Sequence, residues 1–171
     1  MSIEKVRAYF RSLGREDEIL ESDLSSATVE LAAAAFGVAP ARIAKTLSFR
    51  GKDGGCLLVV AAGDARIDNS KFKAQFGTKA KMLTSEEVLA ETGHAIGGVC
   101  PFAIEGEKVS IYLDQSLERF ETVYPAAGSS NSAICLTCSQ LFEDAGALGW
   151  VDVCKGWQTA EDTAPKAIKE V

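Results

Sequence analysis

The chain has 171 residues, 47% hydrophobic and 25% charged, with a net charge of -6 and a pI near 4.9. That is about one domain's worth of ordinary globular composition, and its acidic balance excludes a general nucleic-acid coat, which needs many cations on one surface, while permitting a local basic patch. The N-terminus "MSIEKVRAYFRSLGRED" is charged throughout and no later run approaches the ~18 apolar residues of a membrane span, so a soluble, cytoplasmic protein without a membrane partner is expected.

The first helix is expected over 3–13, with Ser2 as cap, Ile3, Val6, Phe10 and Leu13 as the buried stripe and Gly14 as the stop. "SSATVELAAAAFGV" offers Ser and Thr caps, an alanine-rich helix and Gly37 as terminator. Pro40 suits the first turn of a short helix, "PARIA", and the following strand begins between Ile43 and Lys45. In "FRGKDGGCLLVVAA", Asp53-Gly54-Gly55 separates two strand-like runs as a hairpin turn. "RIDNSKFKAQFG" places Asp68 or Asn69 as cap, Phe72 and Phe76 one turn apart, and Gly77 as stop; Thr84 with Glu87 forms a capping box for a helix ending near Gly93. A glycine-rich loop, "TGHAIGGVCPF", follows, then strands at "KVSIYLD", around Phe120 to Tyr124 and at "AICLT", a helix over 139–146 and a last strand at "WVDV". Strands and helices intermingle without strict alternation, which predicts an α+β fold: one compact domain over 1–158, a mixed sheet with helices around it, and a polar tail over 159–171.

Ile43, Lys45, Leu47 and Phe49 share one face of an extended strand, so an ammonium stands where the pattern asks for an apolar side chain. Its stem can snorkel along the core edge with the charge in water; at a strand start, where clefts open, it can instead hold a phosphate or a carbonyl oxygen. Gly97 and Gly98 in "AIGGVCPF" allow close backbone approach to a ligand and Pro101 stiffens the exit, although a tight turn explains the same residues. Lys71, Lys73, Lys79 and Lys81 put four cations and no anion into eleven residues, either a solvated helix face or the place where RNA phosphates lie. His94 is the only histidine, which rules out HExxH zinc chemistry and leaves any dyad resting on one loop residue. Five cysteines, an odd number in apolar surroundings, do not make a secreted disulfide framework. Cys135 and Cys138 form a C-x-x-C at a strand end with no second pair, so packing outweighs redox or zinc chemistry, although a thiol protein stays a third reading. Walker, G-x-G-x-x-G and G-x-S-x-G signatures are missing.

Taken in order, "SSATVELAAAAFGVAPARIAKTLSF", "VVAAGDARIDNSKFK", "TGHAIGGVCPF", "IYLDQSL" and "VYPAAGSS" resemble the YbaK/EbsC family of prolyl-tRNA editing domains, across about residues 25–130. The resemblance implies a curved mixed sheet and a trans-acting deacylase that hydrolyses the ester of a mischarged tRNA, with tRNA(Pro) as first choice. It implies the tRNA acceptor end as partner, with an aminoacyl-tRNA synthetase as a further one, no DNA, and no metal or other cofactor. Lys45 matches the family's critical lysine in "KTL"; Gly97, Gly98 and Pro101 match its substrate loop, with the Gly98 amide as oxyanion donor; Thr28 begins its first pocket wall. Lys71, Lys73, Lys79 and Lys81 would then bind tRNA. The loop "GSSNSAICL" departs from the family: there is no acidic residue near Ala133, as in cysteine-specific members, and no His-Pro pair, as in the alanine branch. Ser129 and Asn131, with Ser130 and Ser132, would form a small polar pocket there, which leaves alanine, serine, threonine, cysteine or an analogue as the amino acid removed. A non-catalytic module holding a tRNA end on the same fold is the alternative function.

Overall fold

The computed structural model describes residues 2–158; the expected tail over 159–171 lies outside the described residues. In chain order the elements are α1 (Ser2–Ser12), β1 (Ile19–Glu21), α2 (Val29–Phe36), β2 (Ile43–Arg50), β3 (Cys56–Ala62), β4 (Arg66–Ile67), α3 (Asn69–Phe76), α4 (Ser85–Thr92), β5 (Val109–Asp114), β6 (Thr122–Pro125), β7 (Ser132–Ile134), β8 (Leu136–Thr137), α5 (Cys138–Ala145), β9 (Gly149–Val151) and β10 (Cys154–Lys155). Short 3-10 turns precede β1, β2 and β6.

The caps follow the side chains. Thr28, Asp68, Thr84 and Thr137 each accept a main-chain N–H in the first turn of α2, α3, α4 and α5, and α4 and α5 carry full capping boxes. Each of these helices then stops at a glycine in the left-handed conformation. The first helix differs from expectation: Ser2 is its first residue rather than its cap, and Leu13 falls beyond its end, 44% exposed, while Val6 and Phe10 are buried.

A curled, mixed six-stranded sheet in the order β8-β6-β2-β3-β5-β9 forms the scaffold, with β1-β7 and β4-β10 as two small antiparallel pairs. The hairpin β2-β3 is antiparallel from Ala44↔Ala62 to Arg50↔Cys56, and β3 is buried along its whole length. The parallel pairs β3-β5 and β5-β9 extend the sheet on one side and β2-β6 on the other. "AICLT" is not one strand: β7 pairs with β1 and β8 with β6, and Cys135 lies between them where the chain changes partners.

The curl also splits the Ile43–Phe49 face. Phe49 packs on Phe72 in the main core, whereas Ile43 belongs to a small cluster with Ala32 and Ala33 of α2. Lys45 stands between these two apolar groups.

Candidate active site

The sheet leaves an opening in one edge of β2. On that edge β6 pairs only with Ile43 and Ala44, and the segment 81–83 takes over at the far end, where Arg50 donates to the Lys81 carbonyl and Leu83 to the Ser48 carbonyl. Gly51 donates to Gly55 in continuation of the hairpin, so the odd-numbered residues of β2 exchange main-chain hydrogen bonds with β3. By alternation the N–H and C=O of Thr46 point the other way, into the gap between Ala44 and Ser48.

A cavity of about 260 Å³ fills this gap, with the whole stretch Ile43 to Leu47 along one wall. Thr28, Val29 and Ala32 of the α2 entry form a second wall, and Gly97, Tyr124, Ser132 and Ala133 close the rest. Met82 and Ile96, 60% and 62% exposed, stand at its rim. The volume lies just below the roughly 300–1,000 Å³ of sites for drug-sized ligands. It suits an aminoacyl group better than an entire nucleotide.

Three loops are sewn together around the opening. Ser26 donates its amide to Ser130 at 2.6 Å, and Ser22 and Asn131 exchange two bonds, Ser22 N to the Asn131 carbonyl at 2.8 Å and Asn131 Nδ2 to the Ser22 carbonyl at 3.0 Å. Gly98 packs so closely on the third loop that a Cβ there would lie 2.8 Å from both the N and Cα of Ser129. Gly97 has φ +98°, a conformation L side chains rarely adopt.

Lys45 is half-buried and lines the cavity, but its ammonium is not idle: it donates to the carbonyl of Gly63 at 3.2 Å and to that of Ala65, bracing the turn after β3. Two of its three donors are thereby used, and one remains for a ligand. Burial holds the Lys45 ammonium below the usual lysine range, opposed by the nearby carboxylates of Asp64 and Glu30. Cys154, close by, is no anion at neutral pH, because burial pushes its thiol up to about 12.

The other expected residues separate into groups. Thr28 lines the cavity while its hydroxyl caps α2, accepting from Leu31 at 3.2 Å. Gly97 lines it too, but Gly98 faces a neighbouring cavity and its amide already donates to the Ala95 carbonyl at 3.0 Å, so the Gly98 N–H is not an available oxyanion donor. Pro101 is buried beyond the loop. Ser129 donates to Asn131 Oδ1 at 2.8 Å and bonds Ser132 at 2.6 Å, so these side chains hold the loop together, and Ser132 is the one on the cavity wall. Lys71 is engaged with Asp152 at 3.1 Å and the Cys154 carbonyl at 3.2 Å, whereas Lys73 and Lys79 flank a surface depression and Lys81 adjoins the rim residue Met82.

Sequence reasoning missed Ser26, Thr46, Met82, Ile96 and Tyr124, whereas Ser132, expected in the polar pocket, does line the cavity. Thr46 could have been found from the pattern, as the polar residue next to Lys45 in its strand; Ser26 could not, because its position depends on the pairing of 22–26 with 130–131.

His94 serves the loop. It is fully buried, donating Nε2–H to the Phe102 carbonyl at 2.7 Å and accepting from the Ser2 hydroxyl at Nδ1. Burial holds its imidazole below the usual histidine range. The cysteine pair is built for packing: α5 starts at the second cysteine, Cys138, whose thiol points at the Leu117 carbonyl at 3.4 Å. No helix among the described residues is long and apolar enough to cross a membrane.

The model of the aminoacyl-tRNA editing domain matches residues 25–143, which spans every wall of the cavity. The chain belongs to the aminoacyl-tRNA editing domain family. The editing domain is 53% identical over 158 residues to the uncharacterized protein YwhH of Bacillus subtilis, covering 92% of this chain and all of that protein. It is 30% identical over 94 residues to the proline--tRNA ligase of Thermotoga maritima, covering 54% of this chain and only 16% of the ligase. Among solved structures it superimposes with a TM-score of 0.80 and 30% identity on a candidate trans-editing enzyme for prolyl tRNA synthetase, covering 91% of this chain and 98% of that one.

Proposed function

We propose that this chain is a trans-editing aminoacyl-tRNA deacylase of the cytoplasm, which hydrolyses the ester between a mischarged amino acid and the tRNA 3′ end. Its substrate is a small amino acid on tRNA(Pro): alanine, serine, threonine, cysteine or an analogue. The observation that carries this reading is the Thr46 gap, where main-chain donors, a lysine ammonium and a small, mostly apolar chamber meet in a family of editing domains. Action in trans is supported by the superposition on the solved trans-editing relative.

In this site the aminoacyl group enters the chamber and the terminal base rests on the exposed Met82 and Ile96. The Lys45 ammonium orients the ester or the terminal phosphate with its remaining donor. Water attacks the ester carbon, and the charge developing on the carbonyl oxygen is met by the Thr46 N–H, with the Gly97 N–H, which has no protein acceptor among the described residues, beside it. The carbon–oxygen bond to the ribose breaks, and the ribose oxygen leaves as a hydroxyl after taking a proton. An aminoacyl ester is already labile, so placement and electrostatic help worth about 4–8 kcal/mol together, some three to six powers of ten in rate, suffice without a strong general base.

Lys73, Lys79 and Lys81 hold the acceptor stem as the chain approaches the rim. The test is release of labelled amino acid from a panel of mischarged tRNA(Pro) and tRNA(Ala) species. Accelerated release of at least one species is expected. Binding of tRNA without release of any would replace the hydrolase with a tRNA-end binding module.

A further inference from the structure

We propose that the hydroxyls of Ser26 and Thr46 read a hydroxyl group on the amino acid, so that the site favours seryl and threonyl esters over alanyl esters; this rests on the deacylase reading above. Four buried side-chain polar atoms among the described residues lack a hydrogen-bond partner: Ser26 Oγ, Thr46 Oγ1, Asp144 Oδ2 and Trp157 Nε1. Asp144 Oδ2 is nonetheless 2.9 Å from the Arg15 guanidinium. The two hydroxyls have no such compensation, and both belong to residues that line the cavity at the β2 gap.

Buried hydroxyls are normally bonded, because leaving one unpaired forfeits its bonds to water. Two orphans on residues around one cavity are therefore explained by a ligand group that completes them once it enters. They come from independent elements: Ser26, 8% exposed, is fixed by the hydrogen bond from its N–H to the Ser130 carbonyl, and Thr46 by its place on β2.

The chemistry of the missing group follows from its surroundings. Ala27, Val29, Ala32, Ile43 and Ala133 make much of the remaining chamber apolar, the Thr28 and Ser132 hydroxyls are already bonded to Leu31 N and Ser129, and Lys45 supplies a positive charge, which disfavours a second cation beside it. A neutral group that both donates and accepts suits two hydroxyls, each of which can do either. A side-chain hydroxyl meets that demand; a thiol bonds weakly and a methyl not at all. Sites built to hydrogen-bond a substrate group discriminate strongly against analogues lacking it, since the protein's own polar atoms are left stranded.

The experiment compares kcat/KM for seryl-, threonyl- and alanyl-tRNA(Pro) with the parent, Ser26→Ala and Thr46→Val. The parent should favour seryl over alanyl esters by roughly tenfold or more. Each variant should lower that ratio about fivefold or more, whereas Ser26→Thr and Thr46→Ser should retain it. A parent that cleaves alanyl esters as fast as seryl ones, or variants that slow both equally, overturns the proposal. In a second arm, calorimetry measures binding of non-hydrolysable amide-linked seryl and alanyl analogues of the 3′-terminal adenosine. Preference for the seryl analogue that the variants lose, with no ester cleaved, upholds the recognition and refutes the hydrolase. Equal binding of the two analogues refutes the recognition whatever the turnover, and the parent's own ratios decide the matter if a variant does not fold.

Discussion

Replacing Lys45 separates two jobs that the structure gives to one side chain. Its ammonium braces the Gly63 and Ala65 carbonyls and keeps one donor over the cavity. Hydrogen bonds from a charged donor contribute about 1.5–3 kcal/mol each, but the half-buried ammonium also bears a desolvation cost that the variant escapes, and the exposed carbonyls regain water. A net destabilisation of about 1–3 kcal/mol is expected for Lys45→Ala, or roughly 2–4 °C in Tm per kcal/mol for a chain of this size. That leaves a folded protein at 25 °C. Loss of the ligand-facing donor should cost on the order of 10²-fold in deacylation, the scale of a lost oxyanion or orienting contact. Lys45→Met keeps most of the stem and removes the charge, so it should fall equally far in activity. The assay is release of labelled amino acid from the cleaved species, alongside thermal melts of all three proteins. Folded Lys45→Met that releases amino acid at the parental rate would refute the assigned role. A drop in Tm with unchanged activity would assign Lys45 to the 63–65 turn alone.

The pH dependence has two windows with the same sign. His94 is held below its ordinary pKa of about 6.5 by burial, so the unfolded chain binds more protons between the depressed value and 6.5, and stability falls as pH drops through that window. Urea melts from pH 7.5 to 5 should show this, with His94→Gln less stable at pH 7.5 but flatter below it. For Lys45, also depressed, stability rises as pH climbs from its lowered value towards 10.5, and Lys45→Met should remove that rise. Changing Lys73, Lys79 and Lys81 together to alanine should weaken tRNA binding and reduce the slope of log affinity against log salt by about 2–3; Lys71→Ala, whose ammonium is paired with Asp152, should change it less. Gly98→Ala drives a Cβ into the Ser129 main chain and should cost about 1–3 kcal/mol in urea melts and displace the substrate loop; parental stability would show that the loop yields easily.

The parts of the fold written in local chemistry were legible in the sequence. Thr84 with Glu87, Asp68 before α3 and the glycines at 37, 77 and 93 mark helix ends through their own side chains or φ preference, and the Asp53-Gly54-Gly55 turn announces its hairpin. The short strands β1 and β4 were invisible because they owe their conformation to distant partners rather than to a period of their own. The same reason hid half of the site. Lys45 breaks an apolar alternation and so signals itself, whereas Ser26 is one serine among many until β1-β7 pairing brings its loop to the cavity. The Gly98 amide misled because a glycine suggests an open backbone, yet its N–H is consumed by the turn it helps to make.

The gap in β2 gives position 46 two inheritances on one residue. Its side chain can change from one generation to the next and with it the polarity of the chamber, while its N–H and C=O stay aimed at the same spot, because strand register and not residue identity sets their direction. Proline alone would delete the N–H. A scaffold of this kind can be retuned for a new amino acid by point substitution at Ser26 or Thr46 without rebuilding the apparatus that stabilises the reaction. Diversification among such domains should therefore concentrate in the side chains of the gap and spare its pairing pattern.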